Sequence, residues 1–200
     1  MSPRIVSKNN ISYAKNTNLA QKIHSLLAID NGESGIIIAV AVFTGLRAEE
    51  IVYIYNEQVC QNDIGVCGCR RLHVFQNKSK GIVAVEINWI TSRSRCYITM
   101  MPAKIWENFR SLPCCNESDV AAAGKLIQTI AKVKLSDLRE IFYHVMTQTM
   151  TDNDLNILSG RAAPAAAKYA LLSKLDNMVT RYVKAWKGVV RLVFGHTPSP

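Results

Sequence analysis

Arg47, Arg139, Arg161 and Tyr169 stand out in this chain because each lies at the end of an element rather than in the middle of a face. Arg47 belongs to Thr44-Gly45-Leu46-Arg47-Ala48-Glu49-Glu50. Gly45 permits a sharp turn between two helices, which places Arg47 at the N-terminus of the second. A cation there opposes the helix dipole by about 0.3–1 kcal/mol, so an arginine kept in that place points to an anion to hold. Glu50, one turn further on, can orient the guanidinium; an ordinary Arg–Glu surface pair is the alternative. Arg139, in Leu135-Ser136-Asp137-Leu138-Arg139, reads as the first turn of another helix, again against the dipole. Arg161 directly follows Gly160, and Tyr169 comes eight residues later on the next helix. Taken singly, each fits a solvated or structural role. The ordered set points to a built site.

The elements that position these residues can be read from periodicity. Asn18 or Thr17 caps a helix through about Ile29, and Ile36–Phe43 is apolar on every face, which predicts a buried helix ended by Gly45. A further helix runs from about Ala48 to Tyr55. The period then changes. Arg71–Phe75, Ile82–Trp89 and Cys96–Met100 are β-branched or aromatic runs separated by turn-forming residues at 77–81 and 91–95, which predicts two hairpins and a three-stranded antiparallel sheet. Helices follow over Pro102–Leu112 and 120–132, with a loop over 113–119 between them. A long helix capped by Ser136 runs to about Met150, then a turn at Thr151–Asp154 and a short helix over Leu155–Ser159. The last helix spans Ala165–Trp186. The fold class is α+β, mostly helical around a small sheet.

Composition limits the partners. The 200 residues carry 24 Lys and Arg against 15 Asp and Glu, a net charge of +9, so a polyanionic partner is expected. The longest apolar run falls far short of the roughly 20 residues needed to cross a bilayer, and the first ten residues, MSPRIVSKNN, are not those of a signal peptide. A secreted or membrane-embedded protein is therefore not expected, and the six cysteines read as reduced thiols. Cys60, Cys67, Cys69 and His73 lack the paired spacing of a structural zinc site, and Cys114-Cys115 reads as loop.

The order T-G-L-R-x-x-E, then a box on a helix ending in Arg139, then Gly160-Arg161, then Tyr169 resembles the tyrosine site-specific recombinases, most closely the integrases of archaeal viruses and plasmids. The resemblance covers about Ala20–Trp186, nearly the whole chain, including the strand–turn–strand that ends in Met100-Met101-Pro102. It implies the tyrosine recombinase catalytic fold over residues 18–200, preceded by a basic arm or linker stub at 1–17. It further implies cytoplasmic strand transfer on double-stranded DNA, with no metal or other cofactor, by a homotetramer that is a monomer or weak oligomer when free. Tyr169 would attack the scissile phosphate to form a 3′-phosphotyrosyl link. Arg47 and Arg139 resemble the two clamp arginines, and Arg161 stands where the family usually has His or Trp. Ser136 occupies a place normally held by His or Lys, with Lys134 nearby. The general-acid lysine is assigned to Lys80, with Lys78 close behind and Arg93 or Arg95 as the residues on the following turn. Tyr182 and Tyr143 are rival nucleophiles, but neither lies at the expected distance after Gly160-Arg161.

The end of the chain carries Lys168, Lys174, Arg181, Lys184, Lys187 and Arg191 against Asp176 alone, and the first 24 residues add Arg4, Lys8, Lys15 and Lys22 without an acid. Such groups contact phosphates with little sequence information. The apolar stripe of Leu171, Leu172, Leu175, Met178, Val179, Tyr182, Val183 and Trp186 must be covered, either by another protomer or in cis. Recombinases usually carry a DNA-clamping domain ahead of the catalytic one, so the chain reads as an excised catalytic domain, a minimal recombinase or a remnant that relies on a partner. A catalytically inactive DNA-binding relative and a type IB topoisomerase-like relaxing enzyme are the alternatives.

Overall fold

A segment that is apolar on every side has to be covered on every side, and Ile37 through Phe43 are all buried. They form α1 (Glu33–Thr44) in the computed structural model, which describes residues 32–62, 73–89, 95–161 and 173–194. The chain continues through α2 (Ala48–Asn62), β1 (His73–Asn77), a 3-10 turn (Lys78–Lys80), β2 (Ile82–Trp89) and β3 (Arg95–Pro102). It then forms α3 (Ala103–Arg110), α4 (Glu117–Ala131), α5 (Leu135–Met146), α6 (Asp152–Leu158) and α7 (Leu175–Phe194). The architecture is α+β and mostly helical. The expected arm at 1–17, the helix over 18–29, most of the cysteine-rich stretch, all of the turn at 91–95 except Arg95, which begins β3, and Tyr169 lie outside the described residues.

Helix α1 is the hub, packed against α2, α3, α4, α5 and β3. The three strands pair antiparallel in the order β1-β2-β3, with Asn77 opposite Ile82 and Ile82 opposite Pro102, as two successive hairpins require. On β2, Ile82, Val83, Ala84, Val85 and Glu86 are all buried, so this part of the central strand is covered on both faces. Asn77 closes the first hairpin by accepting the Lys80 N–H at 3.1 Å, and Gly81 follows at φ 61°. The Gly81 carbonyl accepts the Ala103 N–H at 2.8 Å, tying sheet to helix.

Several element ends differ from the sequence reading, and capping explains most of them. Helix α2 runs on to Asn62 rather than stopping near Tyr55, and α3 stops at Arg110 rather than Leu112. Helix α4 starts at Glu117 because the Asn116 side chain accepts the Ser118 and Asp119 N–H groups, while Asp119 accepts the Asn116 N–H at 2.8 Å. Ser136 is not the cap of α5. Lys134 is, and Asp137 accepts its N–H at 2.8 Å, so the helix starts at Leu135 and ends at Met146. Thr151–Asp154 is not a free turn but the reciprocal cap of α6, with bonds of 3.1 and 3.2 Å. Of the helix expected over Ala165–Trp186, residues 165–172 lie outside the described residues; in the described part the chain turns at Lys174 and α7 begins at Leu175.

The stripe on α7 is covered in cis. Met178, Val179, Tyr182 and Trp186 are buried, and Trp186 packs 4.6 Å from Phe43 and 6.4 Å from Phe142. Tyr182 donates its hydroxyl to the Phe43 carbonyl at 2.7 Å. Arg181 is committed within the fold as well, though its side chain stays partly exposed. It pairs at 2.9 Å with Asp154, whose side chain is 3% exposed, and so fastens α7 to α6.

The end of α1 is the most constrained point of the chain. Gly45 has φ 65°, and a Cβ placed there would lie 2.4 Å from Phe142 Cδ1 and 2.8 Å from Cγ. Gly45→Ala therefore adds left-handed strain to a clash with a fully buried ring on α5. We expect it to cost about 3 kcal/mol, lowering the thermal midpoint by about 6–12 °C. A calorimetric midpoint unchanged from the parent would contradict this account of the α1–α2 corner.

Candidate functional site

The same corner starts the candidate site. Thr44 donates its hydroxyl to the Val40 carbonyl at 2.6 Å and accepts the Leu46 N–H at 3.2 Å, so the chain leaves α1 in a fixed direction. Arg47 is the cap residue of α2, as the spacing predicts: its carbonyl accepts the Ile51 N–H at 3.0 Å. Glu50 completes the cap. One carboxylate oxygen takes the Arg47 backbone N–H at 2.7 Å and the other takes Arg47 Nη1 at 3.0 Å. With its side chain only 8% exposed, Glu50 is no member of a solvated surface pair.

Arg139 reaches this carboxylate from α5. Its Nη1 donates to Glu50 Oε2 at 3.3 Å and to the Gly45 carbonyl at 2.6 Å. Because α5 starts at Leu135, Arg139 lies beyond the first helical turn, and the expected opposition to the dipole does not apply. Its partners are instead the carbonyl at the end of α1 and the carboxylate at the start of α2. Glu50 thus holds one arginine through its own helix and a second from across the fold.

Arg161 is placed by the end of α6. Gly160 takes φ 69°, its N–H reaches the Ile157 carbonyl at 3.2 Å, and the Arg161 N–H reaches the Asn156 carbonyl at 2.8 Å. This is the paired bonding of a Schellman motif, for which glycine is the favoured residue because it alone takes the left-handed conformation without strain. Gly160 therefore turns the chain so that Arg161 emerges, exposed, at the mouth of a cleft.

That cleft, of about 830 Å³, is lined by Arg47, Arg139 and Arg161 together. Glu140 and Tyr143 from α5, Thr147 just past its end, Leu155 and Asn156 from α6, and Ser159 and Gly160 just past its end complete the wall. The reading of the sequence missed Glu140, Thr147, Asn156 and Ser159. A signal for Thr147 was available, since Arg139, Tyr143 and Thr147 recur every four residues, the spacing of one helix face. The α6 members carried no signal beyond their place beside Gly160.

Tyr143 lies against Arg139, whose Cζ is 5.1 Å from the ring centroid. Its hydroxyl is buried and has no hydrogen-bond partner. Burial pushes its pKa up, an effect that the positive charges of Arg139, Arg161 and Arg47 oppose and the negative charge of Glu50 reinforces. Tyr182, sealed in the core, is pushed well above the usual phenol range by the same desolvation.

The structure does not bring Lys80 into the cleft. Its ammonium donates to Thr180 Oγ1 at 2.5 Å and reaches the Asp176 carbonyl at 3.4 Å, so the 3-10 turn is docked on the start of α7. Lys78, on the same turn, is exposed and is not among the lining residues. Ser136 is exposed and donates to Asp137 at 3.4 Å. Arg93 and Tyr169 lie outside the described residues, as does the side chain of Arg95. Among the described residues, no group of three or more His, Cys, Asp or Glu is placed to hold a metal ion, and no helix is long and apolar enough to cross a membrane. Cys115 belongs to the core, where burial pushes its thiol up to about 12.

The arrangement is suited to binding an anion. Guanidinium groups from three different elements face one volume, and two of them share a buried carboxylate that fixes their directions before any ligand arrives. Glu50→Gln tests that wiring. The amide keeps the shape but replaces one acceptor with a donor facing a guanidinium, and it removes the charge. Because Arg47 is close to half exposed, solvent screens part of the loss, and we expect about 1–3 kcal/mol of destabilisation by urea unfolding. Unfolding at the parental urea midpoint would show that the carboxylate does not organise the corner.

No family model, no curated protein and no solved structure matches the chain.

Proposed function

We propose that the protein is a DNA strand transferase of the tyrosine recombinase kind, an integrase acting on double-stranded DNA as a homotetramer. The observation that carries this reading is the convergence of Arg47, Arg139 and Arg161 on one cleft, although 92 and 22 residues separate them along the chain. In the reaction the Tyr169 oxygen attacks the scissile phosphorus. The bond from phosphorus to tyrosine oxygen forms as the bond to the 5′ oxygen breaks, and the proton lost by the phenol is balanced by one gained at the 5′-hydroxyl. The three guanidinium groups hold the non-bridging oxygens as charge gathers there. Rejoining reverses the step, so no external energy source is consumed. At eight residues past Arg161, Tyr169 is tethered within about 28 Å of it even at full extension.

Two placements favour a second reading, a DNA-binding relative without activity: Lys80 engages α7 rather than the cleft, and Ser136 turns to Asp137. A relaxing enzyme of the type IB kind shares the same arginine–tyrosine chemistry. Incubation with supercoiled plasmid in EDTA, followed by denaturing electrophoresis, separates the three. Protein-linked DNA with strand exchange supports the recombinase. Relaxation by a monomer without exchange identifies the topoisomerase-like enzyme. Retardation of DNA with no covalent product identifies the inactive binder and defeats the proposal.

A further inference from the structure

Helix α5 brings to the cleft an aromatic side chain to which the chemistry above gives no role. Tyr143 stands one turn after Arg139, the spacing at which two side chains of a helix meet. The guanidinium carbon lies 5.1 Å from the centre of its ring, within the range of a cation–π contact. The ring is itself held edge-to-face by Phe142, at 5.2 Å and 81° between planes, and Phe142 is fully buried. A half-buried tyrosine, backed by a fully buried phenylalanine, therefore stands behind one of the three arginines.

What Tyr143 does follows from what its hydroxyl cannot do. The oxygen has almost no accessible surface and no hydrogen-bond partner, so neither a phosphate oxygen nor solvent touches it. A nucleophile needs to reach its target and to ionise, and burial works against both. The ring face, in contrast, is engaged. On its other side Arg139 is tied through Nη1 to the Gly45 carbonyl and Glu50. A guanidinium has five N–H donors, two of them on Nη1, so three remain once that nitrogen is committed. Anchored at one nitrogen and backed by a ring, the fork keeps its plane while those donors serve the cleft.

We propose that Tyr143 is a positioning residue, whose ring holds the Arg139 guanidinium ready for an anion and whose hydroxyl takes no part. The assignment rests on the reading of the cleft as a phosphate site. It separates the two functions of the tyrosine cleanly, because phenylalanine keeps the ring and leucine removes it.

The test is nitrogen-15-edited NMR of the arginine Nε–Hε groups in the full chain, titrated with inorganic phosphate. In the parent and in Tyr143→Phe, the Arg139 resonance is expected to be displaced by the ring current and to move on phosphate addition, with dissociation constants within about twofold of each other. Tyr143→Leu is expected to lose the ring-current displacement and to bind phosphate about three- to tenfold more weakly. Leucine binding as tightly as the parent overturns the proposal. So does phenylalanine binding as weakly as leucine, which would make the hydroxyl the working group. An Arg139 resonance without ring-current displacement in the parent overturns it with no variant needed, even if Tyr143→Leu does not fold. Absence of any phosphate response at Arg47, Arg139 and Arg161 in the parent is a different failure. It removes the phosphate site itself, and Tyr143 falls with it.

Discussion

Tyr169→Phe is expected to abolish protein-linked DNA completely while leaving DNA retardation at the parental level. The substitution removes one oxygen, and in the proposed chemistry that oxygen is the atom joined to phosphorus. Whether another tyrosine could take over is a question of access and ionisation. The Tyr182 hydroxyl is sealed in the core and donates to the Phe43 carbonyl, and the Tyr143 oxygen is buried while its ring carries Arg139. Both are pushed by burial toward the neutral phenol, which is the weaker nucleophile. An unperturbed phenol near pKa 10 is ionised to only about one part in 10³ at neutral pH, so raising it further slows attack in proportion. An arginine cluster favours ionisation of a phenol that enters it from solvent. The measurement is denaturing electrophoresis of plasmid incubated in EDTA with each protein. Protein-linked DNA persisting in Tyr169→Phe would show that the nucleophile lies elsewhere in the chain.

Arg139→Ala is expected to lower the rate of strand cleavage by about 10²–10³-fold, the usual loss when one preorganised donor to a developing oxyanion is removed. Stability should fall too, because this guanidinium also bonds the Gly45 carbonyl and shares Glu50 with Arg47. Losing it leaves a largely buried carboxylate with one cationic partner instead of two, and we expect about 1–3 kcal/mol. Arg139→Lys separates the two consequences. A lysine restores a positive charge near Glu50 but not the planar fork, so stability should recover more than rate. Single-turnover cleavage of a nicked suicide substrate, read beside urea unfolding, gives both numbers. Equal rates in parent and Arg139→Ala would remove Arg139 from the reaction.

How far these residues could be read in advance depended on the range of the forces that place them. Elements whose cause is local were legible in the residues alone. Ile36–Phe43 is apolar on all sides and had to be a buried helix, while the strands alternate between turn-forming segments and had to make consecutive hairpins. Gly45 was legible as a corner, and Arg47 as a helix start, because backbone conformation there depends on one or two residues. Local chemistry was ambiguous where the same residue types serve two ends. Thr151 and Asp154 suit a turn as well as a helix cap, and only the helix that follows decides between them. Ser136 lost the cap to Lys134 because Asp137 accepts the backbone N–H of Lys134, three residues before it.

Everything that depended on distant partners was decided by tertiary structure. Packing of α5 against the buried α1 carries Arg139 to the Gly45 carbonyl and to Glu50, 94 and 89 residues away in sequence. The α7 stripe could have faced another protomer, and it is the aromatic surface of Phe43 and Phe142 that covers Trp186 in cis. Arg181 looked available to DNA until Asp154 claimed it, and Lys80 looked available to the cleft until Thr180 did. Spacing along a chain fixes which residues can share a turn of helix or a face of a strand. It carries no information on which turns meet, because that follows from burying the most apolar surface of the whole chain at once.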